Sequence, residues 1–162
     1  MRTVIFLVWS ISFATLGTST SSIADEPYKL MEFGATKCDE EMSFLDNIAY
    51  RLDERPEVRA HLVVYGGRRG DTRDEVRTRG ARMRNYLLNT RRVEPSRLAV
   101  VNGGYREKFT VEVWFVPKGM KAPCAKPTVA PKQVRFRKGS MDVWEEPGCF
   151  PDAQSIEKSC RA

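Results

Sequence analysis

Ten arginines fall between Arg68 and Arg97, namely Arg68, Arg69, Arg73, Arg77, Arg79, Arg82, Arg84, Arg91, Arg92 and Arg97. Only Asp71, Asp74, Glu75 and Glu94 offset them over that stretch. A guanidinium grips a carboxylate or phosphate through two parallel hydrogen bonds, so the chemistry on offer is capture of an anion. Clustered positive charge also draws acidic polymers from a distance. At helical spacing Arg73, Arg77 and Arg84 share a solvated side, while Arg79 and Arg82 flank the apolar face. The same pattern reads equally as a solvated helix whose Arg stems cover apolar surface.

No other constellation competes with this one. The loop from Gly66 to Asp71 is rich in Gly and Arg but lacks the Gly-Lys-Ser/Thr ending of a phosphate-binding loop. It reads as a turn from strand to helix. His61 is the chain's one histidine, which excludes any multi-histidine metal site, and it reads as structural. Ser43, Ser96 and Cys38 have no base at a diagnostic spacing. Asp39, Glu40, Glu41 and Asp46 are explained by helix capping and exposure. The expectation is a non-enzymatic chain with no catalytic set, metal or cofactor. The basic charge, 27 Lys and Arg against 21 Asp and Glu, would also suit nucleic acid. No helix-turn-helix or RNP-like aromatic motif accompanies it, so nucleic acid is not expected as a partner.

The N-terminus reads as an address. Arg2 is the only charge before Asp25, and an apolar run from Thr3 to Leu16 separates them. Small residues at Ser22 and Ala24 place signal-peptide cleavage before Asp25. Export to the periplasm or the medium is expected, with no transmembrane span after cleavage. An oxidising compartment turns the even set Cys38, Cys124, Cys149 and Cys160 into two disulfides. Of the three pairings, Cys38–Cys124 and Cys149–Cys160 are favoured. The first ties the start of a helix to the end of the last strand, and the second closes a short loop.

With 162 residues and 41% apolar composition, the chain has room for one domain and a tail. The elements that must carry the arginines follow from periodicity. Tyr28 to Phe33 reads as a short strand. Thr36 caps a helix with acids in its first turn and Met42, Leu45, Ile48, Ala49 and Leu52 on one face, ended by Pro56. His61 to Tyr65 is a buried strand. Asp71 starts a second helix, with Thr72 and Glu75 at capping-box spacing and Val76, Gly80, Met83 and Leu87 turned inward. Arg97 to Val101 is a strand, Asn102 to Glu107 a loop, and Phe109 to Val116 an alternating strand. The order β-α-β-α-β-β predicts an α+β sandwich with two helices on a mixed sheet. Pro117, Pro123, Pro127 and Pro131 then mark an extended Pro-rich linker over 118–133. The tail 134–162 carries a hairpin around Gly139.

This pattern resembles the OmpA-like C-terminal domain, a periplasmic module that binds peptidoglycan. The resemblance covers roughly residues 28–117, within an expected domain of 25–117. It rests on the element order and on the strand from Leu62 to Gly66 entering the loop. The helix from Arg79 to Leu88 is similar to the family's Arg-Ala-x-x-Val-x-x-Tyr-Leu pattern. Val93 to Arg97 resembles the link to the third strand, and Gly103 to Glu107 resembles a Gly-Tyr-Gly-Glu loop. The family holds a stem-peptide carboxylate with an Asp in the loop and an Arg on the helix. Arg79 matches that Arg, whereas Arg69 stands where the Asp is expected. Asp71 and Asp74 are the acids that a folded-back loop would bring to Arg79. The resemblance implies weak binding of peptidoglycan or another anionic envelope polymer. The alternative is a structural domain with a degenerate site that contacts an envelope protein through its sheet edge or tail.

Overall fold

The computed structural model describes residues 26–70 and 74–136, together with the backbone of Glu157–Lys158. Strand β1, Tyr28–Phe33, spans the expected residues. Helix α1, Cys38–Glu54, buries Leu45, Ile48, Ala49 and Leu52 along one face and keeps three acids in its first turn. Thr36 is not its cap. Lys37 holds that place without a side-chain bond, and Thr36 Oγ1 donates to the Lys37 carbonyl at 3.0 Å instead. Strand β2, Val58–Gly67, is longer than its apolar centre suggests. Next come the short β3, Arg69–Gly70, and helix α2, Glu75–Asn85. A π turn over Tyr86–Thr90 ends α2.

Strand β4, Leu98–Arg106, runs through the segment expected to be a loop. The cause is a bulge. The β2–β4 register jumps between Val64 and Tyr65 and passes over Gly103, then continues with Gly66 opposite Tyr105. A Cβ on Gly103 would lie 2.6 Å from the Tyr65 ring, so only glycine lets the pairing resume there. Strand β5, Thr110–Pro117, completes the main sheet. Two more short strands follow, β6 at Arg135–Phe136 and β7 at Glu157–Lys158.

The sheet order is β1-β5-β2-β4-β7. β5 is antiparallel to both β1 and β2, and β2 is parallel to β4 across the α2 crossover. This is the α+β architecture with two helices and a mixed sheet. β4 and β5 run in opposite directions, but β5 lies on the far side of β2 and does not pair with β4. The period-two pattern divides the strands between two cores. Leu62, Val64, Val111, Val113 and Phe115 face the helices and pack with Leu45, Ile48, Met83 and Leu87. Val63, Tyr65 and Val101 face the other way, where Ala125 and Trp114 pack on them.

Residues 118–133 were expected as an extended linker, yet they lie along this second face. The Thr128 and Val129 amides both donate to the Tyr105 carbonyl at 3.0 Å, and Val129 is buried. The Lys126 amide donates to the Tyr65 hydroxyl at 3.0 Å. Prolines lack a ladder donor, but nothing prevents them from packing as a strap. The strap ends in β6, which pairs parallel with β3. The other half of the expected hairpin, Met141 to Trp144, lies outside the described residues, as do the signal segment 1–24, Cys149 and Cys160. No helix among the described residues is long and apolar enough to cross a membrane.

Cys38 packs against the helix-side core and is disulfide-bonded. Cys124 is exposed and adjoins Ala125 on the opposite face. Cys149 and Cys160 lie outside the described residues, so the favoured pairing of Cys38 with Cys124 and of Cys149 with Cys160 stays an expectation from the sequence.

Candidate functional site

Residues four apart on a helix share a face, and Glu75 and Arg79 on α2 are such a pair. Both are drawn inward, with side chains only 6% and 13% exposed, and Arg79 Nε lies 3.4 Å from Glu75 Oε1. A second pair lies deeper. Glu41 of α1 receives Arg82 Nη2 at 2.7 and 2.8 Å and Arg82 Nε at 3.2 Å. Arg79 Nη1 stands 4.0 Å from the same carboxylate. Two guanidiniums and two carboxylates thus form one compact cluster between α1 and α2. It is the buried continuation of the arginine-rich stretch.

The outer end of the cluster opens into a pocket of about 450 Å³. Gly34 of the β1–α1 loop, Gly67 and Arg69 of the β2–α2 loop, Lys108 of the β4–β5 turn, and Glu75 and Arg79 line it. The Arg79 guanidinium lies 4.7 Å from the centre of the Phe109 ring, a cation–π contact that helps hold it in place. Its Nε is buried and makes no hydrogen bond within the described residues, because Glu75 sits at ion-pair distance without hydrogen-bond alignment. Arg68 reaches Glu107 at 2.7 Å on the rim. The pocket therefore presents a fixed guanidinium, a largely buried carboxylate and outer cations within one opening. Such an arrangement suits a ligand carrying a carboxylate beside an ammonium.

The expected site residues part company here. Arg79 and Arg69 both line the pocket. Asp74 does not, because it stands at the N-cap of α2, largely exposed, 3.3 Å from Arg77. Asp71 lies outside the described residues. The acid beside Arg79 is Glu75. It was read as the third residue of a capping box, but α2 begins at Glu75, so its side chain turns inward rather than back to a cap. Its distance of four residues from Arg79 was the signal that could have found it. Glu41, Phe109 and Lys108 come from distant segments and gave no local signal.

A second polar cluster occupies the strap face. Glu112 of β5 accepts from Arg106 at 2.9 Å, from Tyr65 and Trp114 at 3.2 Å, and from Lys29 at 3.3 Å. Arg106 also stacks 3.7 Å from the centre of the Tyr65 ring. Burial alone would raise the Glu112 pKa, but the hydrogen bonds from Arg106 and Trp114 and the Arg106 charge hold it below the usual value. Burial raises the Tyr65 pKa. This cluster lies under the strap, where the Lys126 amide donates to the Tyr65 hydroxyl.

No family model, curated protein or solved structure matches the chain.

Proposed function

We propose that the chain is an exported, non-enzymatic cell-envelope protein whose domain is OmpA-like and binds peptidoglycan weakly through the Arg79 pocket. The observation that carries this reading is Arg79 itself, set over the Phe109 ring in the lining of a pocket, with its Nε making no hydrogen bond among the described residues and Glu75 beside it. In this reading the guanidinium takes a stem-peptide carboxylate, and Glu75 takes the neighbouring ammonium in place of the missing loop Asp. Arg69 and Lys108 add attraction that salt screens over about 8–10 Å. Internal pairing to Glu75 and Glu41 already neutralises much of the Arg79 charge, which is why weak binding is expected. The two-helix, mixed-sheet architecture is compatible with the resemblance.

Co-sedimentation with purified peptidoglycan at low and high salt tests the proposal. Arg79→Lys keeps the charge and loses the planar fork, so it should lower binding more than Arg92→Ala on the exposed surface. Glu75→Gln should weaken binding as well. Equal binding by all variants would remove the pocket's role. No binding by the parent would favour an interaction domain whose arginine cluster only joins α1 to α2.

A further inference from the structure

Loops that bind ligands need support from behind, and the β2–α2 loop finds it in a distant part of the chain. The Arg135 amide donates to the Arg68 carbonyl at 2.8 Å, and β6 lies parallel to β3 with Gly70 opposite Phe136. Gly70 is the point of contact between the two sides. A Cβ placed there would lie 3.1 Å from Glu75 Oε2 and 3.6 Å from Phe136 Cδ1. The pocket carboxylate and the tail phenyl ring thus press on the same backbone position. Phe136 in turn meets Tyr105 edge to face, with ring centres 6.0 Å apart. The Tyr105 ring fills the space over Gly66, where a Cβ would come within 2.9 Å of it, and the Tyr105 carbonyl holds the strap amides. An unbroken line of contacts therefore runs from the strap through Tyr105 and Phe136 to Gly70 and Glu75.

We infer that Phe136 is a positioning residue for the pocket, and that the segment following the main sheet forms the outer wall of the ligand loop. Phe136 is not among the residues that line the pocket, and it acts by fixing Gly70 and hence the Glu75 carboxylate. Arg69, opposite Arg135 in the same ladder, is held on the rim by the same pairing. The inference rests on the ligand-binding reading above and adds a part of the chain that lies outside the resemblance. An edge-to-face aromatic pair contributes a factor of roughly 2–10 to an equilibrium, and that is the size of effect expected here.

The test uses the full chain in four forms: parent, Phe136→Ala, Phe136→Tyr and Arg135→Pro. Each is assayed by co-sedimentation with purified peptidoglycan, by thermal melting and by amide exchange at Arg69 and Gly70. Phe136→Ala and Arg135→Pro should weaken binding by roughly 2–10-fold and speed exchange at Gly70, with melting little changed, and Phe136→Tyr should restore both. Arg135→Pro removes the amide that donates to the Arg68 carbonyl and keeps the phenyl ring, so it decides the matter if Phe136→Ala folds poorly. Parent-like binding in both weakened variants, alongside loss in Arg79→Lys, would overturn the role of Phe136 and leave the pocket reading standing. No binding by the parent would overturn the pocket reading alone. Exchange would then decide the wall, with faster exchange at Gly70 upholding it and unchanged exchange refuting it.

Discussion

Replacing Glu41 by Gln keeps the side chain's shape and removes the charge on which Arg82 closes. Glu41 is 2% exposed and Arg82 13%, so little solvent remains to take over. Three hydrogen bonds at 2.7, 2.8 and 3.2 Å converge on this carboxylate, and Arg79 stands behind them. After the change Glu75 is the one carboxylate left in the cluster, it pairs with Arg79 and not Arg82 in the distances above, and the NH2 end of the new amide faces the Arg82 donors. Breaking one partner of a buried pair costs about 3–5 kcal/mol, and the partial exposure of Arg82 favours the lower end. For a body of this size each kcal/mol moves the melting temperature by roughly 4 °C, so a fall of about 10–15 °C is expected. Thermal melting followed by circular dichroism measures it, and urea midpoints give the free energy directly. The double variant Glu41→Met with Arg82→Met removes both charges together and should recover much of the loss, since an apolar pair is often as stable as a buried ion pair. A Glu41→Gln protein melting within about 3 °C of the parent would refute the argument. So would a double variant no better than the single one.

Three further outcomes follow from the same geometry. The folded-state pKa of Glu112 lies below its unfolded value, so its contribution is present above about pH 4.3 and is lost as pH falls through the lower folded value. Glu112→Gln should flatten that acid limb in urea midpoints measured from pH 6 down to about 3, and an unchanged limb would count against the network. Cys38 should map to a cross-linked peptide without reductant, and Cys38→Ser should lower stability by about 2–4 kcal/mol; a Cys38 that alkylates before reduction would sink this. Protein recovered from the envelope or the medium should begin at Asp25 by intact mass, and recovery of only the 162-residue chain would argue against export.

Local pattern carried most of the architecture. β1 is found at its expected residues, the three-four spacing of α1 and α2 marks their buried faces, and the alternation of β5 separates its two sides. These succeed because periodicity is a short-range property of the chain. The errors arose where a short-range reading met a long-range partner. Asn102 to Glu107 has the composition of a turn, yet pairing with β2 holds it in the sheet as far as Arg106. The prolines after Pro117 suggest a free linker, while Tyr65 and Tyr105 offer an oxygen and a carbonyl that dock it. Arg79 was visible as a site residue. Its neighbours Glu75 and Phe109 were not, since capping explained one and strand alternation the other before any pocket was in view.

The sheet order has a consequence for how the chain is made. β5 lies between β1 and β2, so Tyr28 waits for Phe115 and Ala60 waits for the same residue. Until Thr110–Pro117 has left the ribosome, both earlier strands have open edges, and β2 is among the most apolar segments of the chain. Pairings this distant in sequence form slowly, and open apolar edges invite other chains. A nascent chain arrested before Thr110 holds both helices and three of the long strands but lacks the strand that joins them, so its solubility depends on whatever shields β2 in the interval.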